Sequence, residues 1–210
     1  MTPKTERITQ KHPNYPEQLK ECLKTEAPET LWARGNTALL ERQDTRWAIF
    51  CSSQCPAEII LKAHDLAQQF QKSGIPTIGG YHSPVEEECL RVLLRGTQPI
   101  IICPPRSIEN MRLKPEWKRG ISENRLLILS RFDSKYRRST ATLASQRNAF
   151  VAALADKVLI AHAAEGSQTL EFARVISEWD KPLFTFDTEA NKPLLQFGPR
   201  PIENLISETH

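Results

Sequence analysis

A chain of 210 residues that is 40% apolar can bury the core of one α/β domain, and it carries too much apolar side chain to be disordered throughout. Its net charge of +3 does not by itself announce a nucleic-acid partner. No apolar run approaches the ~20 residues of a membrane span, and no apolar signal region follows the polar stretch from Met1 to Arg7, so a cytoplasmic protein with no membrane partner is expected.

Residues 1–40 are polar and broken by Pro13, Pro16 and Pro28, and read as a helical extension of one or two short helices packed on the main domain. From there a regular alternation begins, over a domain expected to span 41–190. Strand-length apolar runs stand at 47–51, 75–78, 100–103, 126–129, 158–161 and 183–186. Most are apolar at consecutive positions, as in a parallel sheet buried on both faces. Between them lie helical patterns. Ile59, Ala63, Leu66, Ala67 and Phe70 share one face, as do Val85, Cys89, Val92 and Leu93. Looser sets follow at 143–154 and 170–176. Repeated strand–helix alternation predicts a Rossmann-like, doubly wound, mostly parallel sheet. The segment 191–210 reads as a polar tail on the surface. The five cysteines read as small core residues in a reducing compartment. Cys51 and Cys55 have no CxxC or histidine companion, so no metal is expected, and no cofactor either.

In such a sheet ligands bind beyond the carboxyl ends of the strands, at a topological switch point. The loops there are polar. Ser52 and Ser53 follow the first run, with Pro56 as the first residue of the next helix; they read equally as an anion site or a plain cap. Gly79 and Gly80 offer positive φ and close approach to a ligand, His82 stands at the tip of their loop, and Ser83, Pro84 and Glu86 form a capping box. Arg106 follows the third run as a phosphate contact or an ordinary surface arginine. After the fourth run Arg131, Lys135, Arg137 and Arg138 accompany Phe132 and Tyr136, a mixture that suits the backbone and bases of a single strand or a solvated loop. Arg147 and Asn148 lie within the following helical pattern on the strand-end side. Gly166, Ser167 and Thr169 open a helix after the fifth run, as a phosphate cradle would.

Several fragments together resemble the DNA-processing protein A family. Tyr15-Pro16-x-x-Leu19 and Leu31-Trp32-x-Arg34-Gly35-Asn36 are similar to its opening segment. Cys51-Ser52-Ser53 stands where the family has Gly-Ser-Arg, and Gly79-Gly80 where it has Ser-Gly. Gln146-Arg147-Asn148 resembles its Arg-Asn helix, and Gly166-Ser167-Gln168-Thr169 its Ser-Gly-Ser/Thr helix start. The resemblance covers about residues 15–190. It implies an extended Rossmann fold, single-stranded DNA binding and loading of a recombinase partner during DNA uptake. Ser53 replaces the arginine of a basic DNA pocket, an acidic stretch from Pro84 to Leu90 replaces Gly-Ile-Asp-x-x-Ala-His, and no winged helix is read after residue 190. A shortened relative is therefore expected, as a homodimer, holding single-stranded DNA or a nucleotide-like ligand without catalysis.

A second resemblance is to the lysine-decarboxylase-like phosphoribohydrolases, the LOG family. Arg147 matches their arginine, and Thr169-Leu170-Glu171 is similar to the end of their Pro-Gly-Gly-x-Gly-Thr-x-x-Glu motif. Phe172 stands where that motif has its glutamate. Glu165 or Glu171 would have to serve as the acid/base group of an N-glycosidic hydrolase, and Glu171 is turned by about 100° from the needed position. A third reading is a sensor module that acts only within a larger assembly.

Overall fold

The computed structural model describes residues 4–41 and 44–202. Nine strands form one sheet: β1 (Glu6–Thr9), β2 (Thr30–Gly35), β3 (Trp47–Cys51), β4 (Thr77–Gly79), β5 (Ile100–Ile102), β6 (Leu126–Ser130), β7 (Lys157–His162), β8 (Leu183–Thr185) and β9 (Arg200–Pro201). Their spatial order is β1-β2-β6-β5-β4-β3-β7-β8-β9. The seven from β6 to β9 run parallel, while β2 pairs antiparallel with β6 and with β1. From β3 the chain winds outward through β4, β5 and β6. It then crosses back to place β7 on the other side of β3. The pair β3/β7 is the switch point of a doubly wound sheet, as the alternation predicted.

Every residue of β3 and β6 is buried, which explains their unbroken apolar runs. Successive side chains serve opposite faces. Ala48 and Phe50 join one core with Val158 and Ile160, whereas Trp47, Ile49 and Cys51 join the other with Leu159 and Ala161. The first core is covered by α1 (Gln18–Leu23), α5 (Ala141–Leu154) and α6 (Gln168–Ser177), and the second by α2 (Ala57–Lys72), α3 (Pro84–Leu93) and α4 (Pro115–Ser122). In α2 the buried residues are Ile59, Ala63, Leu66, Ala67 and Phe70, the stripe its periodicity predicted. The expected caps form at α3, where the Ser83 hydroxyl accepts from the Glu86 N–H, and at α6, where Ser167 accepts from the Leu170 N–H.

The N-terminal forty residues differ from the helical extension expected. They contain α1, but they also add β1 and β2 to the sheet. These strands sit at and near an edge, where only alternate residues need be apolar, and Ile8 alone is buried in β1. Their polar composition hid them. The expected surface tail is also partly built in. A short α7 (Lys192–Leu195) buries Leu194, β9 extends the sheet, and Ile202 is buried behind it. Pro201 fits there because an edge strand can spare an N–H. The rest of that tail, 203–210, lies outside the described residues, as do residues 1–3. No helix among the described residues is long and apolar enough to cross a membrane.

Candidate functional site

The carboxyl ends of β3 and β7 open into a cavity of about 260 Å³. Its walls are the first turns of α5 and α6, through Ala141, Ser145, Gln168 and Thr169, with Asn148 and His82 at its sides. Ser52 ties the two strand-end loops together. Its hydroxyl accepts from the Ala164 N–H (3.2 Å) and donates to the Ser167 hydroxyl (3.4 Å). This joins two of the expected site residues, Ser52 and Ser167, at the switch point, and a third, Thr169, lines the cavity itself. Ser53 is exposed beside them, and Gly166, at φ +69° with open space around it, forms the exposed turn before α6. The serines do not cap the helix that follows β3. It starts at Ala57, with Pro56 before the first turn rather than in it.

The glycine pair works differently from the expectation. Neither Gly79 nor Gly80 has positive φ; the left-handed residue of this loop is Tyr81, at φ 48°. The missing side chains make room for protein rather than for ligand. A Cβ on Gly79 would press into the Tyr81 ring, and one on Gly80 would land on the Arg147 guanidinium. Tyr81 is held in place by its hydroxyl, which donates to Thr77 Oγ1 at 3.0 Å.

Arg147 reaches the rim, but it is only 2% exposed. Its Nη1 donates to the Cys103 carbonyl (3.2 Å) and its Nε to Asn148 Oδ1 (2.8 Å). Burial pulls its pKa below the usual arginine range, opposed by the nearby Glu86 carboxylate. The expected phosphate contact is thus turned inward, where it holds the loops after β4 and β5 to α5.

Glu86 is the residue that sequence reasoning undervalued. Its place after Ser83 and Pro84 marks it as part of a cap, yet its side chain is buried and lines the same cavity. Oε1 accepts from the Cys51 N–H (3.1 Å) and Oε2 from the His82 N–H (2.9 Å). It therefore fixes the ends of two adjacent loops. Burial pushes its carboxyl above the usual range, while the His82 N–H, Arg147 and the Cys51 N–H pull it back. The available signal was its place in the third helical position after Ser83, from which a carboxylate can reach back to the preceding chain.

The basic loop divides. Arg131 donates to the Glu26 carbonyl (2.8 Å) and Lys135 pairs with Asp133 (3.3 Å). Both line a separate groove of about 800 Å³ against the N-terminal segment. Phe132 is buried against Tyr136, with ring centroids 5.6 Å apart, so only Tyr136 offers a face to solvent. Arg137 and Arg138 are exposed on the approach to α5, three to four residues before its first turn. Arg106 is also exposed, but it lines a third cavity, between α3 and α4. On the cavity wall itself Phe172, packed edge-on to Phe50 (5.1 Å), occupies the place of the hydrolase glutamate. Glu171 pairs with Arg174 on the exposed side of α6 (3.1 Å).

Comparison with solved structures finds this fold in two DNA processing proteins. The Helicobacter pylori protein, described for its single-stranded DNA binding mode, is 22% identical, with a TM-score of 0.77 over 99% of this chain and 97% of its own. The Streptococcus pneumoniae protein is 19% identical, with a TM-score of 0.77 over 94% of this chain and 71% of its own. The molybdenum cofactor carrier protein of Chlamydomonas reinhardtii is more distant, at 14% identity and a TM-score of 0.50 over 74% of this chain and 86% of its own. A sequence search among curated proteins finds no significant match. The family profile of DNA recombination-mediator protein A, however, matches residues 6–205, and the chain belongs to that family.

Proposed function

We propose that the chain binds single-stranded DNA at the carboxyl edge of its sheet. The cleft between β3 and β7 seats a phosphodiester against the hydroxyls of Ser52, Ser167 and Thr169. Arg137 and Arg138 meet neighbouring phosphates. The observation that carries the reading is the convergence of two helix N-termini, those of α5 and α6, on one polar cavity at the switch point. Unpaired N–H groups and the positive end of each helix dipole favour an anion there. The family, and the DNA-binding relative of the same fold, support DNA as that anion. In this reading Arg147 and Glu86 are positioning residues that set the loops, whereas the exposed arginines supply the charge.

The test is a salt titration of affinity for a thymidine oligonucleotide, for duplex DNA and for mononucleotides. For single strands the slope of log K against log salt is about −0.7 per phosphate contacted. The double substitution Arg137→Gln/Arg138→Gln should flatten it by about 1.4, the sum of two such contacts. An unchanged slope, or duplex bound as tightly as single strand, removes the proposal.

A further inference from the structure

A second cavity, of about 580 Å³, opens between α3, α4 and the loops that follow β4 and β5. It lies on the face of the sheet covered by α2, α3 and α4, and meets the switch-point cleft only at His82. Its volume falls within the ~300–1,000 Å³ of small-molecule sites. Six cations line it: Arg91, Arg95, Arg106, Arg112, Lys114 and Arg119, against the carboxylates Glu87 and Glu116. Arg91 and Arg119 share their charge with Glu88 and Glu123 on their own helices or just beyond. Arg95, Arg106, Arg112 and Lys114 make no ion pair among the described residues. These four come from two stretches of chain, the turn after α3 and the loop between β5 and α4, and line one space. Such unneutralised like charge raises the local potential and is relieved by an anion.

The shape of the charge selects the ligand. A nucleic-acid strand spreads single charges along an open track, whereas here four cations without ion-pair partners among the described residues line one half-open pocket. That arrangement fits an anion with several charges on adjacent groups. The recess also has an apolar side, formed by Leu90, Leu94 and Met111, with the half-buried indole of Trp117 beside them. Lys114 Nζ lies 5.5 Å from that ring's centroid, so charge and aromatic surface share one wall. An aromatic face with flanking cations suits a base joined to phosphates. We propose that this pocket binds a nucleoside polyphosphate, with the phosphates among Arg95, Arg106 and Arg112 and the base against Trp117. The site does not depend on the DNA reading, since none of these four cations lines the β3/β7 cleft.

The test is calorimetric titration of the full chain with ATP at low salt, beside inorganic triphosphate and a thymidine oligonucleotide. Arg95 and Arg112 are exposed, so Arg95→Glu/Arg112→Glu should fold normally. It should weaken ATP at least tenfold for each reversed charge, while Arg137→Gln/Arg138→Gln leaves ATP affinity unchanged. Trp117→Phe should abolish the part of the ATP-induced fluorescence change that comes from the indole. The proposal is overturned by lack of saturable ATP binding at millimolar concentration, or by equal affinity in the charge-reversed protein. It is equally overturned if inorganic triphosphate binds as tightly as ATP. If ATP fails to bind while the same two reversals weaken the oligonucleotide, the pocket belongs to a strand path instead.

Discussion

Gly80→Ala isolates what the glycine pair does. At a position outside the left-handed region, exchange of Gly for Ala normally stabilises a protein by about 0.4–1 kcal/mol, because the unfolded chain loses freedom. Here the added methyl would fall on the Arg147 guanidinium, whose carbon and two nitrogens fill that space. The guanidinium cannot yield freely: it is 2% exposed and anchored to Cys103 and Asn148. Clearing the methyl breaks at least the bond to the Cys103 carbonyl, worth roughly 1.5–3 kcal/mol for a charged donor. It also moves a buried cation away from Glu86. The clash wins, with a net loss of about 2–4 kcal/mol, and at ~2–4 °C per kcal/mol a 3 kcal/mol loss lowers Tm by about 6–12 °C. Urea unfolding measures it, with an unchanged m-value marking a true stability effect. In an Arg147→Met background the clash is gone, and Gly80→Ala should become neutral or mildly stabilising. The cycle should therefore give a coupling of about 2 kcal/mol or more. A stabilising Gly80→Ala in the wild-type background, or additive effects of the two changes, refutes the packing argument.

Three further outcomes are expected. Glu86→Gln removes a carboxyl whose folded pKa lies above its ordinary value, a group that contributes stability at low pH and loses it as pH rises through the folded pKa. Wild type should therefore lose ground to the variant as pH rises above the ordinary carboxylate range, superimposed on a constant penalty for the backbone N–H left without its acceptor; a wild-type advantage that grows with pH contradicts the sign. Asn191→Ala deletes an amide that donates to the Ala161 and Phe186 carbonyls and to Thr185 and faces His162 Nδ1; it should cost about 2–4 kcal/mol through unsatisfied buried groups, read by thermal unfolding. Ser52→Ala should cost only about 1 kcal/mol of stability but weaken oligonucleotide binding, because the loop before α6 loses the acceptor for the Ala164 N–H; equal DNA affinity would remove Ser52 from the cleft.

The sheet was legible where the sequence had to bury both faces. Ile100 to Ile102 and Leu126 to Leu129 have no polar alternative, and each appears as a strand. Elements that bury one face partially gave no comparable pattern. Helix α4 carries Gly120 within it and rests on Trp117 and Ile121, and β9 is two residues long. The candidate site was legible only as a meeting place of loops, because loops after parallel strands must share one rim. Individual roles were not. The direction in which a long cation swings depends on partners distant in sequence, such as Glu26 for Arg131 and Cys103 for Arg147. A pair of glycines likewise records that something approaches closely, without recording that it is a tyrosine ring and a guanidinium.

The placement of β7 beside β3 has a consequence for how the molecule comes to exist. The main-chain N–H of Arg46, at the start of β3, bonds to Asp156, 110 residues later. Until that late segment is made, β3, an interior strand of the finished sheet, is a bare margin with unpaired amides, open to the wrong partner. The cleft between β3 and β7 is therefore among the last features to be completed as the chain emerges, and a product cut short before residue 157 would have the greater part of the sheet, no such cleft, and a strong tendency to self-associate.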